Sequence, residues 1–176
     1  MDQGSGDPSY IHGDIQPKTC HIDPEGFIKL IDGSLINPYN TAYQKMLYDR
    51  EYTAAVSPQL LGELHKRKLS PKSHRIKDEV WSIGMTTLCA ALNKNIDDYY
   101  DWNGMKVNMQ KIHDDYEMLR EIGYSEQMIA TINGCLELAE DRRSTLNEII
   151  EFLAPYQDAI RKGQFQFNPN WKVDVT

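Results

Sequence analysis

The most constraining feature of the sequence is an apolar run at residues 78–92, in which apolar or small side chains fall on every side of a helical projection. Its apolar and small members are Val80, Ile83, Met85, Leu88, Cys89, Ala90, Ala91 and Leu92. A helix of this composition must be surrounded by protein, so the rest of the chain has to fold around it. The run is shorter than the roughly 20 residues that cross a bilayer, and Ser82, Thr86 and Thr87 interrupt it, so we expect no membrane association.

Three more helices are predicted after this run. Their apolar residues recur at helical spacing: Ile112, Tyr116, Leu119 and Ile122; then Met128, Ile129, Ile132, Cys135, Leu136 and Ala139; then Leu146, Ile149, Ile150 and Leu153. Gly123 can end the first helix, Ser125 can cap the second, and Thr145 with Glu148 has capping-box spacing at the third, which Pro155 is expected to end. The predicted fold class is therefore mainly α.

The amino-terminal part has a different pattern. Ile22 and the stretch 27–31 flank the turn cluster at residues 24–26 (PEG), which predicts a small β-hairpin. From Ser34 to about Pro58 there is no sustained periodicity, so we interpret this long span as a functional or mobile segment rather than a mere connector. Residues 1–9 are expected to be a disordered leader, and residues 156–176 a carboxy-terminal tail that is loosely ordered beyond Gly163.

Composition excludes several classes of function. Nineteen basic and 26 acidic residues give a net charge of −7, which disfavours nucleic-acid binding. The three cysteines, Cys20, Cys89 and Cys135, are isolated and lack CxxC spacing, so neither a zinc site nor a disulfide framework is predicted. Reduced thiols indicate an intracellular protein, in the cytoplasm or the nucleus.

Five short motifs occur in an informative order. Residues 12–19 read HGDIQPKT and resemble the HRDxKxxN catalytic loop of eukaryotic protein kinases, and residues 29–34 (KLIDGS) lie where such kinases carry DFG. Residues 57–59 (SPQ) resemble the APE motif, residues 79–84 (EVWSIG) resemble the start of the central F helix, and Arg143 matches the arginine before the last helix. The resemblance implies a partial protein-kinase-like fold over residues 10–155, which is a carboxy-terminal lobe without the amino-terminal lobe. It divides into a catalytic loop and hairpin at 10–34, an activation segment at 35–59 and a helical subdomain at 76–155.

The resemblance also implies roles for individual residues. Asp14 matches the carboxylate that orients the acceptor hydroxyl, and Asp32 matches the magnesium ligand, so ATP and Mg²⁺ are the implied cofactors. Gln16 replaces the loop lysine, and Thr19 replaces the asparagine that binds the second metal ion, where a hydroxyl is a weaker ligand. His21 falls where relatives present an aliphatic floor to adenine. The catalytic set is therefore incomplete.

Other matches are structural. Gln59 stands where a glutamate would pair with Arg143, and Glu79 is one methylene longer than the aspartate of the F helix. Gly13 replaces an arginine that receives a phosphorylated activation segment in many relatives. A metal cluster containing His12 has no HxH or HExxH spacing to support it, so we interpret His12 as structural.

These observations leave three functional hypotheses. The favoured one is a catalytically impaired pseudokinase fragment that acts as a binding or regulatory module. The alternative is an ATP-dependent Ser/Thr protein kinase whose amino-terminal lobe comes from missing sequence or another chain, and the third is a helical interaction module. Because residues 1–9 are too short to supply the helix that flanks helix F in the family, a protein partner or the missing lobe is expected to cover that flank.

Residues 99–102 (YYDW) are interpreted as packed under a loop rather than as a docking surface, although both alternatives stay open.

Overall fold

The computed structural model of the chain describes residues 11–24, 28–31, 41–49, 51–66 and 75–161, with side chains as far as residue 155. It is mainly helical with small antiparallel hairpins, which confirms the coarse fold class. The helices are α1 (Ala42–Tyr48), α2 (Pro58–His65), α3 (Ile76–Leu92), α4 (Met109–Ile122), α5 (Glu126–Cys135) and α6 (Leu146–Arg161). Short 3-10 turns lie at Pro17–Thr19 and Ile96–Tyr99. The predicted leader at residues 1–9 and Asp32 lie outside the described residues.

Helix α3 forms the centre of the core. Trp81, Met85 and Leu88 are fully buried on it, as the apolar run predicts. Helix α5 approaches α3 closely at Gly84, where an added Cβ would lie 2.6 Å from Cys135 Cβ. One stripe of α3 is less covered: Ile76 and Ala90 are exposed and Ile83 is half-buried.

Two hairpins are present in the described chain. Strand β1 (Cys20–Ile22) pairs antiparallel with β2 (Ile28–Leu30), which confirms the predicted hairpin. Strands β3 (Tyr100–Asp101) and β4 (Lys106–Val107) form a second pair that the sequence did not predict, because two-residue strands carry no readable alternation.

The predicted caps of α4 and α5 are confirmed. Gly123 ends α4 with a φ of 98°, and its N–H donates to the Leu119 and Arg120 carbonyls. Ser125 caps α5, where its side chain accepts a hydrogen bond from Met128 N. The predicted stripe on α4 is buried at Ile112, Tyr116 and Leu119, but Ile122 is exposed. These caps place the two helices across a short turn.

One helix was not anticipated, and one predicted helix end was wrong. The span from Ser34 to Pro58 contains helix α1, which Thr41 caps by accepting from Gln44 N and which buries Ala42 and Tyr43. Seven residues are too few for a periodicity to be recognised. In the second unit of the chain, which begins at Thr145, α6 has the predicted capping box but continues through Pro155 to Arg161. Proline removes one backbone hydrogen bond, and that loss does not end this helix.

Candidate functional site

Helix α3 anchors the loop at residues 12–19. The Glu79 carboxylate, which is buried in the first turn of α3, accepts hydrogen bonds from the backbone N–H groups of His12 (3.1 Å) and Gly13 (2.8 Å). Because each carboxylate oxygen holds a different amide, the loop is fixed in both position and orientation.

His12 has a structural hydrogen-bonding pattern. Its Nδ1 accepts from the backbone N–H of Asp14 at 3.3 Å, and its Nε2 lies 3.0 Å from the carbonyl oxygen of Ile31. An imidazole protonated at Nε2 satisfies both contacts, with Nε2 as the donor to the carbonyl. In this arrangement His12 joins the loop to the residue after β2. Across the described residues, no group of three or more histidine, cysteine, aspartate or glutamate side chains can hold a metal ion.

Gly13 is required by the local geometry. Its φ is +82°, a conformation that side chains rarely adopt, and an added Cβ would lie 2.6 Å from Thr41 Cγ2. Its carbonyl accepts from Ala42 N at 2.7 Å, so the start of α1 packs directly on the loop. An arginine at position 13 would clash with Thr41 and would have to adopt an unfavourable φ. Local geometry therefore explains why glycine stands where many kinases have an arginine that pairs with a phosphate group.

The Asp14 carboxylate is buried and hydrogen-bonded inside the protein. Its Oδ2 accepts from Lys45 Nζ at 2.6 Å and from Tyr52 OH at 2.5 Å, while Oδ1 accepts from Gln16 Nε2. The side chain of Asp14 has no exposed surface, and that of Lys45 is 22% exposed. A buried carboxylate is costly unless it is paired, and here one ammonium and two neutral donors compensate it.

Gln16 and Thr19 hold the loop together. Gln16 Nε2 also lies 3.0 Å from Tyr52 OH, so the Gln16 amide contacts both Asp14 and Tyr52, which are themselves hydrogen-bonded to each other. The Thr19 hydroxyl lies 2.6 Å from the Asp14 carbonyl oxygen and 3.0 Å from that of Gln16, and it accepts from Gln16 N at 3.1 Å. The Thr19 hydroxyl is therefore engaged by the loop backbone, which does not fit the role of a magnesium ligand.

Lys18 lies beside Tyr52 on the outer side of the loop. Its Nζ is 3.6 Å from the centre of the Tyr52 ring and donates to the Thr53 carbonyl at 2.8 Å. Partial burial lowers the pKa of Lys18, and the nearby Asp14 carboxylate opposes part of that shift. An open cavity of about 500 Å³ borders this corner, lined by Gln16, Pro17, Lys18, Thr53, Lys94, Asn95, Ile96 and Asp97.

The β1–β2 hairpin presents an apolar face to solvent. Directly paired residues share a face, so Cys20, Ile22, Ile28 and Leu30 lie on one side and His21 with Lys29 on the other. Ile22 is 67% exposed and Ile28 is 69% exposed. His21 is also exposed.

Gln59 of α2 is in contact with Arg143. Arg143 is buried and donates from Nη2 to Gln59 Oε1 (2.8 Å), from Nη1 to the Lys77 carbonyl (2.7 Å) and from Nε to the Glu137 carbonyl (3.1 Å). Burial lowers the pKa of Arg143, and the Asp78 carboxylate opposes that shift. This arginine joins α2, α3 and the segment after α5, which is a structural role.

The aromatic cluster at residues 99–102 packs inward. Tyr99 and Tyr100 are buried, and Trp102 stacks on Tyr100 with ring centroids 4.6 Å apart. Tyr100 OH accepts from Trp81 Nε1 at 3.0 Å and donates to the Val56 carbonyl at 2.8 Å, and its burial raises the pKa of its hydroxyl. The interpretation as a packed cluster is thus the one that the structure favours.

The partners of Asp14 could not be identified from the sequence. Lys45 and Tyr52 lie 31 and 38 residues beyond it in a span without sustained periodicity, and no local pattern links a lysine or tyrosine at such a distance to a carboxylate. A search of protein-family models and of solved structures matches nothing to this chain. The described part of the chain has no helix with the length and apolar character needed to cross a membrane.

Proposed function

We propose that this chain is a protein-kinase-like carboxy-terminal lobe that is catalytically impaired and acts as a binding or regulatory module. The proposal rests on the burial and the hydrogen bonding of the Asp14 carboxylate. The carboxylate expected to orient an acceptor hydroxyl is instead buried and engaged by Lys45, Tyr52 and Gln16 of the same chain. A carboxylate in this state supports the fold but is not available to an external substrate.

The arrangement of the loop supports the kinase-like part of the proposal. The loop is attached to the first turn of the buried helix α3 through Glu79, and the start of α1 packs on it at Gly13. The resemblance implies this neighbourhood, in which the catalytic loop rests on helix F and the activation segment passes beside it. The relation of Asp14 to Asp32 stays a prediction, since Asp32 lies outside the described residues.

Chemistry at two positions supports catalytic impairment. Gln16 supplies a neutral amide where the family has a lysine, and one lost transition-state donor costs about 3–4 kcal/mol in other enzymes. The Thr19 hydroxyl is engaged by the loop backbone, so it does not provide an oxygen for a second Mg²⁺. ATP and Mg²⁺ remain cofactors implied by the resemblance alone.

Exposed apolar surface supports a role in binding. The less covered stripe of α3 includes Ile76 and Ala90, and the hairpin face includes Ile22 and Ile28. Ile22 is 67% exposed and Ile28 is 69% exposed, so complete burial of either side chain would contribute about 1–2 kcal/mol. A protein partner or an amino-terminal lobe that covers either surface would therefore gain substantial binding energy.

One observation favours the enzymatic alternative, a Ser/Thr kinase completed by another chain or by missing sequence. Asp14 Oδ2 holds the Tyr52 hydroxyl at 2.5 Å, which is the kind of contact by which a carboxylate orients an acceptor hydroxyl. If α1 and Tyr52 moved away, the same oxygen would be able to receive a substrate hydroxyl.

A thermal-shift titration with Mg²⁺ and ATP separates the two candidates. We compare the wild type with Asp32→Ala, and we use Asp141→Ala, which changes an exposed aspartate, as the matched control. The binding module predicts that Asp32→Ala and the wild type have the same shift, or none. A Mg²⁺-dependent shift that Asp32→Ala abolishes and Asp141→Ala retains would favour the kinase.

A further inference from the structure

The sequence contains two Asn–Gly pairs, Asn103–Gly104 and Asn133–Gly134. Asparagine is chemically labile, because the backbone nitrogen of the next residue can attack its side-chain carbonyl carbon. Glycine in the next position leaves that nitrogen unhindered, since it has no Cβ and restricts the backbone least. Local sequence gives the two pairs similar reactivity, so any difference between them has to come from the fold.

The pair Asn103–Gly104 lies at the tip of the β3–β4 hairpin. Both residues are exposed, in the turn that joins Asp101 to Lys106. Each strand of this hairpin has only two residues, and a two-stranded hairpin alone is marginally stable. The backbone at the tip can therefore change its conformation at low cost.

A single hydrogen bond restrains the nitrogen that would attack. The Gly104 N–H donates to Asp101 Oδ1 at 2.9 Å. Asp101 is exposed, so water can replace this contact when it breaks and the net cost is small. The neighbouring Trp102 is better anchored, because its ring stacks on Tyr100 and its Nε1 donates to Asp97 at 3.0 Å. The restraint is thus weakest at the reactive nitrogen.

The pair Asn133–Gly134 is held in a helix. It lies in the last turn of α5, although the Asn133 side chain is itself exposed. A helical N–H is directed along the axis to the carbonyl four residues earlier, so it is not free to attack the preceding side chain. The Gly134 carbonyl also accepts from Ser144 N at 2.9 Å, and the adjacent Cys135 is buried in the core. Attack by Gly134 N therefore requires local unfolding of α5.

We propose that Asn103 is a site of spontaneous succinimide formation and that α5 protects Asn133 from the same reaction. Gly104 N forms a bond to Asn103 Cγ while its proton passes to hydroxide, and Asn103 Nδ2 takes a proton from water and leaves as ammonia. Water then opens the cyclic imide at either carbonyl, which yields aspartate or isoaspartate. The sum consumes one water and releases one ammonia, with no oxidant or reductant.

The product changes the charge and the backbone of the hairpin tip. Both forms place a new carboxylate close to Asp101 in a chain whose net charge is already −7. Isoaspartate also lengthens the main chain of the turn by one methylene group, which is expected to weaken the pairing of Asp101 with Lys106. Asn103 is thereby the place where this protein would record its age.

Ageing of the full chain tests the assignment. The folded protein is incubated at mildly alkaline pH, well below its thermal midpoint, and conversion is measured by mass spectrometry of tryptic peptides. Trypsin places the two asparagines on different peptides, residues 95–106 and 121–142. Asn103 is expected to convert at least about tenfold faster than Asn133, because opening of α5 must precede reaction at Asn133.

A denatured sample and a variant supply the controls. In guanidinium chloride the two asparagines are expected to convert at rates within about threefold of each other, since only local sequence then distinguishes them. Gly104→Ala keeps Asn103 but adds a Cβ, and it is expected to slow conversion in the folded chain by about tenfold or more. The added Cβ meets only the exposed Asp101 carboxylate, which can move aside, so the variant is expected to fold.

Each outcome decides the proposal. Selective conversion of Asn103 in the folded chain, together with similar rates in guanidinium chloride, supports it. Equal rates in the folded chain, no conversion of Asn103, or the same selectivity in guanidinium chloride overturns it. The experiment contains no nucleotide, so its result is independent of the kinase-like assignment.

Discussion

Replacement of Glu79 by glutamine tests how the loop is held. The substitution keeps the shape of the side chain but exchanges one carboxylate oxygen for an NH₂ group, which can only donate. One oxygen still accepts from the Gly13 or the His12 amide, whereas the other backbone N–H then faces a second donor in a buried position. The loop therefore loses one charge-assisted hydrogen bond, and the remaining one becomes neutral.

The magnitude follows from these two changes. A hydrogen bond to a charged group contributes about 1.5–3 kcal/mol, and a neutral one about 0.5–1.5 kcal/mol, so Glu79→Gln is expected to lower the free energy of unfolding by about 2–4 kcal/mol. For a chain of this size that loss corresponds to a decrease of roughly 4–16 °C in the thermal midpoint. Urea unfolding followed by far-UV circular dichroism measures the free energy, and hydrogen exchange at the His12 and Gly13 amides reports the loop itself.

A matched exposed glutamate supplies the control. Glu117 pairs with Arg120 at 2.6 Å on the surface of α4, and Glu117→Gln is expected to change the free energy of unfolding by less than about 0.5 kcal/mol. If Glu79→Gln were as mild as Glu117→Gln and left the loop amides equally protected, the anchoring of the loop by α3 would be refuted.

Three further predictions concern other parts of the fold. Gly13→Ala is expected to lower the free energy of unfolding by about 1–3 kcal/mol because of its positive φ and the close Thr41 methyl group, and an unchanged urea midpoint would contradict this reasoning. Arg143→Lys is expected to cost about 1–3 kcal/mol, since an ammonium cannot reproduce three donors in a planar fork; a variant as stable as the wild type would show that the fork is dispensable. Burial raises the pKa of Cys89 to about 12 and that of Cys135 to about 11 from an ordinary 9.0, so the folded state keeps protons that the unfolded state releases. The thermal midpoint should therefore fall as the pH rises from 9 towards 11. A midpoint that stays constant over this window would contradict the raised pKa values of the two thiols in the folded state.

Strong local signals explain what could be predicted from the sequence. The apolar run predicted α3, since a helix with apolar residues on all sides has no stable place except inside a core. The hairpin and the caps at Gly123 and Ser125 depend on backbone geometry that a few residue types favour, so they could be recognised locally. Of these elements, α3 anchors the loop through Glu79, and the end of the hairpin contacts it through His12 and Ile31.

Weak or long-range signals explain the rest. Helix α1 has too few residues to show a period, and β3 and β4 are two residues each. The wrong prediction at Pro155 arose because proline commonly ends a helix, whereas α6 tolerates the missing hydrogen bond.

In the candidate site, too, local motifs could be recognised from the sequence but long-range contacts could not. Motif order identified Asp14, Gln16 and Thr19 as one loop. Two of the three side chains that donate to the Asp14 carboxylate, Lys45 and Tyr52, are distant in sequence and reach it only in the folded chain. A sequence motif names the residue that a function would use, and tertiary contacts determine whether that residue is available.

Phosphoryl transfer that depends on Asp14 is the most direct test of the account. The full chain is incubated with radiolabelled ATP, Mg²⁺ and a mixture of protein substrates that offer serine, threonine and tyrosine hydroxyls, in parallel with Asp14→Asn. An impaired module whose carboxylate is held internally predicts the same background incorporation for both proteins. Incorporation by the wild type that Asp14→Asn abolishes would contradict it, because it would show that Asp14 serves an external hydroxyl.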